Sequence, residues 1–129
     1  MSILLVDIDQ FKEFNDRLGH HAGDLVLQSF AQVARGELRA IDFLGRYGGD
    51  EFLLVLAQTP IEGARACAER VRRQTARAKP ACPQGGCQIT VSIGLAQYVV
   101  GEGIEETLKR ADAALYRAKA AGRNRVECG

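Results

Sequence analysis

Three acids in two short segments offer the most specific chemistry in this sequence. Asp7 ends an apolar run at residues 3–6. Asp50 and Glu51 follow the adjacent glycines Gly48 and Gly49 and lead into a second apolar run at 52–56. If those runs are neighbouring strands, the three carboxylates converge at one edge of a sheet. Hard oxygens of this kind suit magnesium, which binds at about 2.1 Å and shares its shell with substrate phosphates. Such a site polarises a phosphoryl group and helps form an alkoxide nucleophile. Lys12 and the cluster Lys119, Arg123 and Arg125 supply cations for a triphosphate. The two glycines permit a tight hairpin with positive φ, and they let a bulky ligand approach the backbone. A polar hairpin turn with solvated acids accounts for the same stretch equally well.

Other polar residues have a structural reading beside a functional one. Asp9 suits the N-cap of a short helix over 10–16, which leaves Asp7 as the better ligand candidate. Asn15 lies three residues after Lys12, on one face of that helix, and offers a donor and an acceptor to a base edge. Asp24 follows a break at 18–24 and stands where a second helix would be capped. His20 and His21 have no second cluster to complete a metal site and read as loop residues. Arg39 either grips a phosphate or guanine edge or pairs with Asp42.

The elements that must position these residues are legible from periodicity. Residues 3–6 read as a central strand covered on both faces. Val26, Phe30, Val33 and Ala34 mark one helix, and Ile61, Ala64, Ala68, Val71 and Thr75 mark another that Pro60 can start. Residues 88–100 carry an alternating strand. Ile104, Leu108, Ala111, Leu115 and Ala118 form a helical stripe, with Gly122 as its C-terminal stop and a short strand at 124–127. A hairpin between helices predicts an α+β fold with a mainly antiparallel sheet, related to the split βαβ plan.

The 129 residues suit a single domain, and 47% apolar content is enough for one core. A net charge of +1 makes no demand for nucleic acid or an anionic membrane. No apolar run approaches the roughly 20 residues that span a bilayer. The first residues lack the basic segment of a signal peptide, and a cytoplasmic location is expected. Cys82 and Cys87 are half a zinc motif with no second half, so all four cysteines are expected as free thiols.

Arg46-Tyr47-Gly48-Gly49-Asp50-Glu51-Phe52 resembles the signature of the GGDEF family, the diguanylate cyclases. Other segments match the family in order: Asp7-Ile8-Asp9-Gln10-Phe11-Lys12, Asn15-Asp16, Gly19-His20, Gly23-Asp24, Arg39-x-x-Asp42, Ser92-Ile93-Gly94, the run from Ala111 to Lys119, and Gly122-Arg123-Asn124. Together they span essentially the whole chain. The resemblance implies a βααββαβ-type domain similar to the nucleotidyl cyclase and polymerase palm. It also implies that two GTP molecules condense across a homodimer to cyclic di-GMP, releasing two pyrophosphates.

By this resemblance Asp7, the Ile8 carbonyl and Asp50 hold Mg²⁺, with Mn²⁺ as the alternative ion. Glu51 serves a second metal position, and Asp50 helps deprotonate the 3′-hydroxyl. Asn15 and Asp24 read guanine, selecting it over adenine through O6 on one side and N1–H and the 2-amino group on the other. Lys12, Lys119 and Arg123 contact phosphates, Lys12 also stabilising charge in the transition state, and Gly48 and Gly49 lie against the substrate. Arg39 and Asp42, joined by Arg70, match a site where the product binds and inhibits. Residues 1–129 lack the helical segment that usually opens the family domain, so an N-terminally truncated domain and an upstream sensory domain are expected. Two further readings stay open: a non-catalytic module binding GTP or cyclic di-GMP, and another nucleotidyl cyclase with the same carboxylate layout.

Overall fold

The computed structural model describes residues 1–78 and 88–129. The elements run β1 (Ser2–Ile8), α1 (Phe11–Leu18), α2 (His20–Glu37), β2 (Phe43–Arg46), β3 (Glu51–Leu56), α3 (Ile61–Arg77), β4 (Val91–Gln97), α4 (Ile104–Ala120) and β5 (Val126–Cys128). This is the expected order. The five strands form one sheet in the order β2-β3-β1-β4-β5, with β4 and β5 parallel and every other pair antiparallel.

Strand alternation splits the apolar residues between two layers. Leu4, Val6 and Ile8 of β1 join Phe52, Leu54 and Leu56 of β3 in a core sealed by Val26 and Phe30 of α2 and by Ala64, Ala68 and Val71 of α3. The rings of Phe30 and Phe52 lie 4.8 Å apart at 49°. On the opposite face Ile3, Leu5 and Ala96 pack under Ala111 and Leu115 of α4. Burial of β1 and β4 on both faces explains why the expected alternation of β4 gives a continuously buried strand.

Several local expectations are corrected. Asp9 does not cap α1; Gln10 occupies that position at φ 56°, with no side-chain cap. Asp24 does not cap α2, because one residue, Gly19 at φ +90°, makes the whole break and α2 begins at His20. Both histidines therefore lie in a helix rather than a loop. Gly23 is helical, and a Cβ there would fall 1.8 Å from Asn15 Oδ1, so its absent side chain is what lets α1 sit against α2. Gly48 and Gly49 do not adopt positive φ, whereas Gly122 does so just past α4, where a stop was expected. Cys67 and Cys128 are free thiols, and the Cys82–Cys87 motif lies outside the described residues.

Candidate active site

β1 delivers Asp7 to the centre of the site. Antiparallel register sets Asp7 opposite Glu51 on one side and opposite Ser92 on the other. The β2–β3 turn folds back so that the Ile8 amide donates to the Asp50 carbonyl at 3.2 Å. Arg46 holds that turn through its guanidinium, which donates to the Gly48 carbonyl at 3.2 Å and the Gly49 carbonyl at 2.5 Å. Sequence reasoning had not singled out Arg46.

Two acids thus meet in a confined place. Asp7 is only 6% exposed. Burial pushes its carboxyl up to about 6, with the neighbouring Asp50 carboxylate pushing the same way and the Lys119 ammonium opposing. Lys119 reaches Asp7 Oδ2 from the end of α4, whereas Oδ1 is buried with no hydrogen-bond partner. A buried carboxylate oxygen without a donor is costly, and its chemistry fits a divalent cation. Glu51 is next along the strand, but its side chain lies toward Gly48. Among the described residues no three acids close into a ready-made metal cage. Asp7 and Asp50 are therefore brought together as expected, and among the described residues Glu51 completes no three-acid cluster with them.

Two adjoining cavities surround this pair. The smaller, about 160 Å³, is walled by Asp7, Ile8, Lys12, Asp50, Lys119 and Arg123. The larger, about 500 Å³, is walled by Lys12, Asn15, Asp24, Arg46, Gly49 and Asp50, with His20 also on its wall. Lys12 and Asp50 belong to both. The combined cleft has the size of a small-molecule site. Asn15 Oδ1 is buried against Gly23 without a hydrogen-bond partner, and Asn15 lines the larger cavity. Gly48 and Gly49 form an open lip: a Cβ on Gly49 would meet nothing, and one on Gly48 would meet only the Glu51 side chain at 3.6 Å.

Arg39, Asp42 and Arg70 gather around a separate cavity of about 170 Å³, beside Glu37, Thr59 and Cys67. Arg39 grips Asp42 through two guanidinium nitrogens at 3.1 and 3.2 Å and also donates to Thr59 Oγ1. Burial pushes the Asp42 carboxyl up, but hydrogen bonds from Arg39 and the Ala57 amide outweigh it and hold it below the usual carboxylate range. Arg70 pairs with Glu37 at 3.0 Å.

The geometry agrees with comparisons across known proteins. The family described as diguanylate cyclase, GGDEF domain, matches residues 1–125. Diguanylate cyclase DgcM of Escherichia coli is 45% identical over 125 residues, covering 97% of this chain and 30% of that protein. Diguanylate cyclase DgcP of Pseudomonas aeruginosa is 44% identical over 129 residues, covering 97% of this chain and 19% of that protein. The chain thus spans under a third of these relatives. The crystal structure of diguanylate cyclase SiaD from P. aeruginosa with its activator SiaC superposes at TM-score 0.95 and 38% identity, covering 99% of this chain and 49% of that one. The GGDEF domain of DgcB from Caulobacter crescentus, in complex with c-di-GMP, superposes at 0.92 and 35% identity, covering 98% of this chain and 76% of that one. With its acids at the sheet edge and its two-part cleft, the chain belongs to the GGDEF domain family of diguanylate cyclases.

Proposed function

We propose that this domain condenses two molecules of GTP into cyclic di-GMP, each domain of a symmetric pair holding one GTP. The observation that carries this reading is the orphaned Asp7 Oδ1 beside Asp50, at the end of a cleft that continues past Lys12 to Asn15. Guanine occupies the larger cavity, where the Asn15 amide donates to O6 and Asp24 accepts from N1–H and the 2-amino group. Lys12, Lys119 and Arg123 face the triphosphate in the smaller one. Asp7, the Ile8 carbonyl and Asp50 hold a divalent cation, Mg²⁺ or Mn²⁺, and Glu51 serves a second position. When bound, such a cation would supply Lewis-acid polarisation of the phosphate and would offset its negative charge.

The chain's own residues do the remainder. Asp50 accepts the proton of the 3′-hydroxyl, whose oxygen bonds to the α-phosphorus of the partner domain's GTP. The bond from that phosphorus to the pyrophosphate oxygen breaks, and the reciprocal step closes the ring with loss of a second pyrophosphate. Lys119 shifts from Asp7 to the phosphates as substrate enters. Lys12 lies at the junction of the cavities, where it can stabilise the charge that builds in the transition state.

Arg39, Asp42 and Arg70 form a product-binding site that holds the domains apart or in an unproductive arrangement. The DgcB domain with c-di-GMP bound supports a cyclic dinucleotide ligand for the fold. The domain works in the cytoplasm, where GTP is found, under an input domain elsewhere in the same protein. The test is GTP and Mg²⁺ incubated with a forced dimer, with the product identified by mass and Asp50→Ala as control. Cyclic di-GMP from the unaltered domain and none from the variant is expected. GTP binding without any cyclic product would overturn the cyclase and leave a non-catalytic receptor.

A further inference from the structure

Asp9 lines the smaller cavity, where a negative charge opposes a phosphate ligand. Its oxygens are occupied from within the protein. Thr90 Oγ1 donates to it at 2.7 Å, Ser92 Oγ at 2.6 Å and the Asn124 amide at 3.0 Å. The Asp9 amide in turn donates to the Thr90 carbonyl at 2.9 Å. One side chain therefore ties together the end of β1, the start of β4 and the turn between α4 and β5.

Both turns tied this way are strained. Gln10, next to Asp9, sits at φ 56°. Arg123 and Asn124 follow Gly122 at φ 63° and 48°. Non-glycine residues seldom adopt this left-handed conformation, and it persists only where surrounding structure enforces it. The first turn launches α1 with Lys12, and the second carries Arg123 itself. Lys12 and Arg123 face the same small cavity from opposite ends of the sequence.

We propose that Asp9 is a positioning residue that clamps these two strained turns and so sets Lys12 and Arg123 at the spacing a nucleotide's phosphates require. Asp9 touches no substrate in this assignment; it acts through the backbone of its neighbours. The proposal rests on the nucleotide reading of the cleft.

Charge and geometry predict opposite outcomes for Asp9→Asn. Removing a negative charge from a phosphate cavity would by itself tighten GTP binding. Loss of the clamp weakens it, and only in the part of the affinity that the phosphates supply. NMR titration with GTP and Mg²⁺, and separately with guanosine, measures both in the intact domain. Asp9→Asn is expected to bind GTP about three- to tenfold more weakly with guanosine affinity unchanged, a loss of the size of one or two hydrogen bonds. Ser92→Ala withdraws one donor and leaves the charge in place; it is expected to show a smaller loss in the same direction, which covers failure of the first variant to fold. Unchanged or tighter GTP binding in either folded variant, or an equal loss for GTP and guanosine, overturns the clamp alone. A wild-type domain with no preference for GTP over guanosine overturns the nucleotide reading and the clamp together.

Discussion

Gly49 tests the site at the scale of one residue, because its conformation and packing give the fold no reason to require glycine. Its φ is not positive, and a Cβ would project into empty space. Gly49→Ala is therefore expected to shift stability by no more than about 0.5 kcal/mol. Gly49 shares its cleft with Asp50 and Lys12, where the proposed nucleotide approaches the backbone. GTP affinity is expected to fall at least about tenfold, roughly the 1.4 kcal/mol of a poorly tolerated close contact. A thermal melt beside a GTP titration separates the two effects. A large loss of stability with intact binding would restore the plain hairpin as the reason for the glycines. Gly23 shows the opposite case, since the fold needs it so that Asn15 can pack against α2.

At the scale of the element, two features of α4 decide how firmly Lys119 is held. Gly94 lets the helix settle directly on β4: a Cβ there would lie 2.0 Å from the Ala111 carbonyl oxygen and 2.4 Å from the Leu115 nitrogen. Gly94→Ala must lift α4 from the sheet, and a loss of about 3 kcal/mol or more in denaturant unfolding is expected. Ahead of the helix, Glu102 accepts from Arg110 at 2.6 and 2.8 Å, from Thr107 Oγ1 at 2.8 Å and from the Val99 amide at 3.0 Å. The Arg110 hydrogen bonds, then that of Thr107, hold the Glu102 carboxyl down at about 2. Its folded value lies below its ordinary one, so its contribution is present above about 4.5 and is lost as pH falls toward 2. Glu102→Gln is expected to lower the melting temperature at pH 7 and to flatten the melting curve's dependence on pH below 4.5. An acid limb unchanged by the substitution would mean that other carboxylates control it.

The order of elements and the meeting of Asp7 with Asp50 were legible because both follow from local periodicity plus one hairpin. Strand alternation fixes which face Asp7 occupies, and the turn returns Asp50 to the same edge. The capping roles of Asp9 and Asp24 were misread because capping is a local rule. Asp9 is engaged by Thr90, Ser92 and Asn124, all more than eighty positions away in the sequence. The start of α2 depends on a single positive φ at Gly19, which sequence spacing could not separate from the glycine at 23.

For the whole molecule, the proposed reaction places one GTP in one cleft, while its product contains two guanylates, each both attacker and target. A symmetric pair satisfies this with a single kind of site, because a two-fold axis turns one 3′-hydroxyl toward the other α-phosphate. Lys12, Lys119 and Arg123 all line the same smaller cavity, of about 160 Å³. Under the proposed reaction, turnover depends on encounter between domains. At concentrations well below the dissociation constant of the pair, the rate of cyclic product is expected to rise with the square of protein concentration, and fusion to a strong dimeriser should make it linear. A dilution series over about a hundredfold, with product quantified by mass, reads the exponent directly. A linear rate throughout, in a domain shown by sedimentation to stay monomeric, would require both reacting groups to meet in one cleft, against the single proposed pair of guanine-reading residues, Asn15 and Asp24, that lines it.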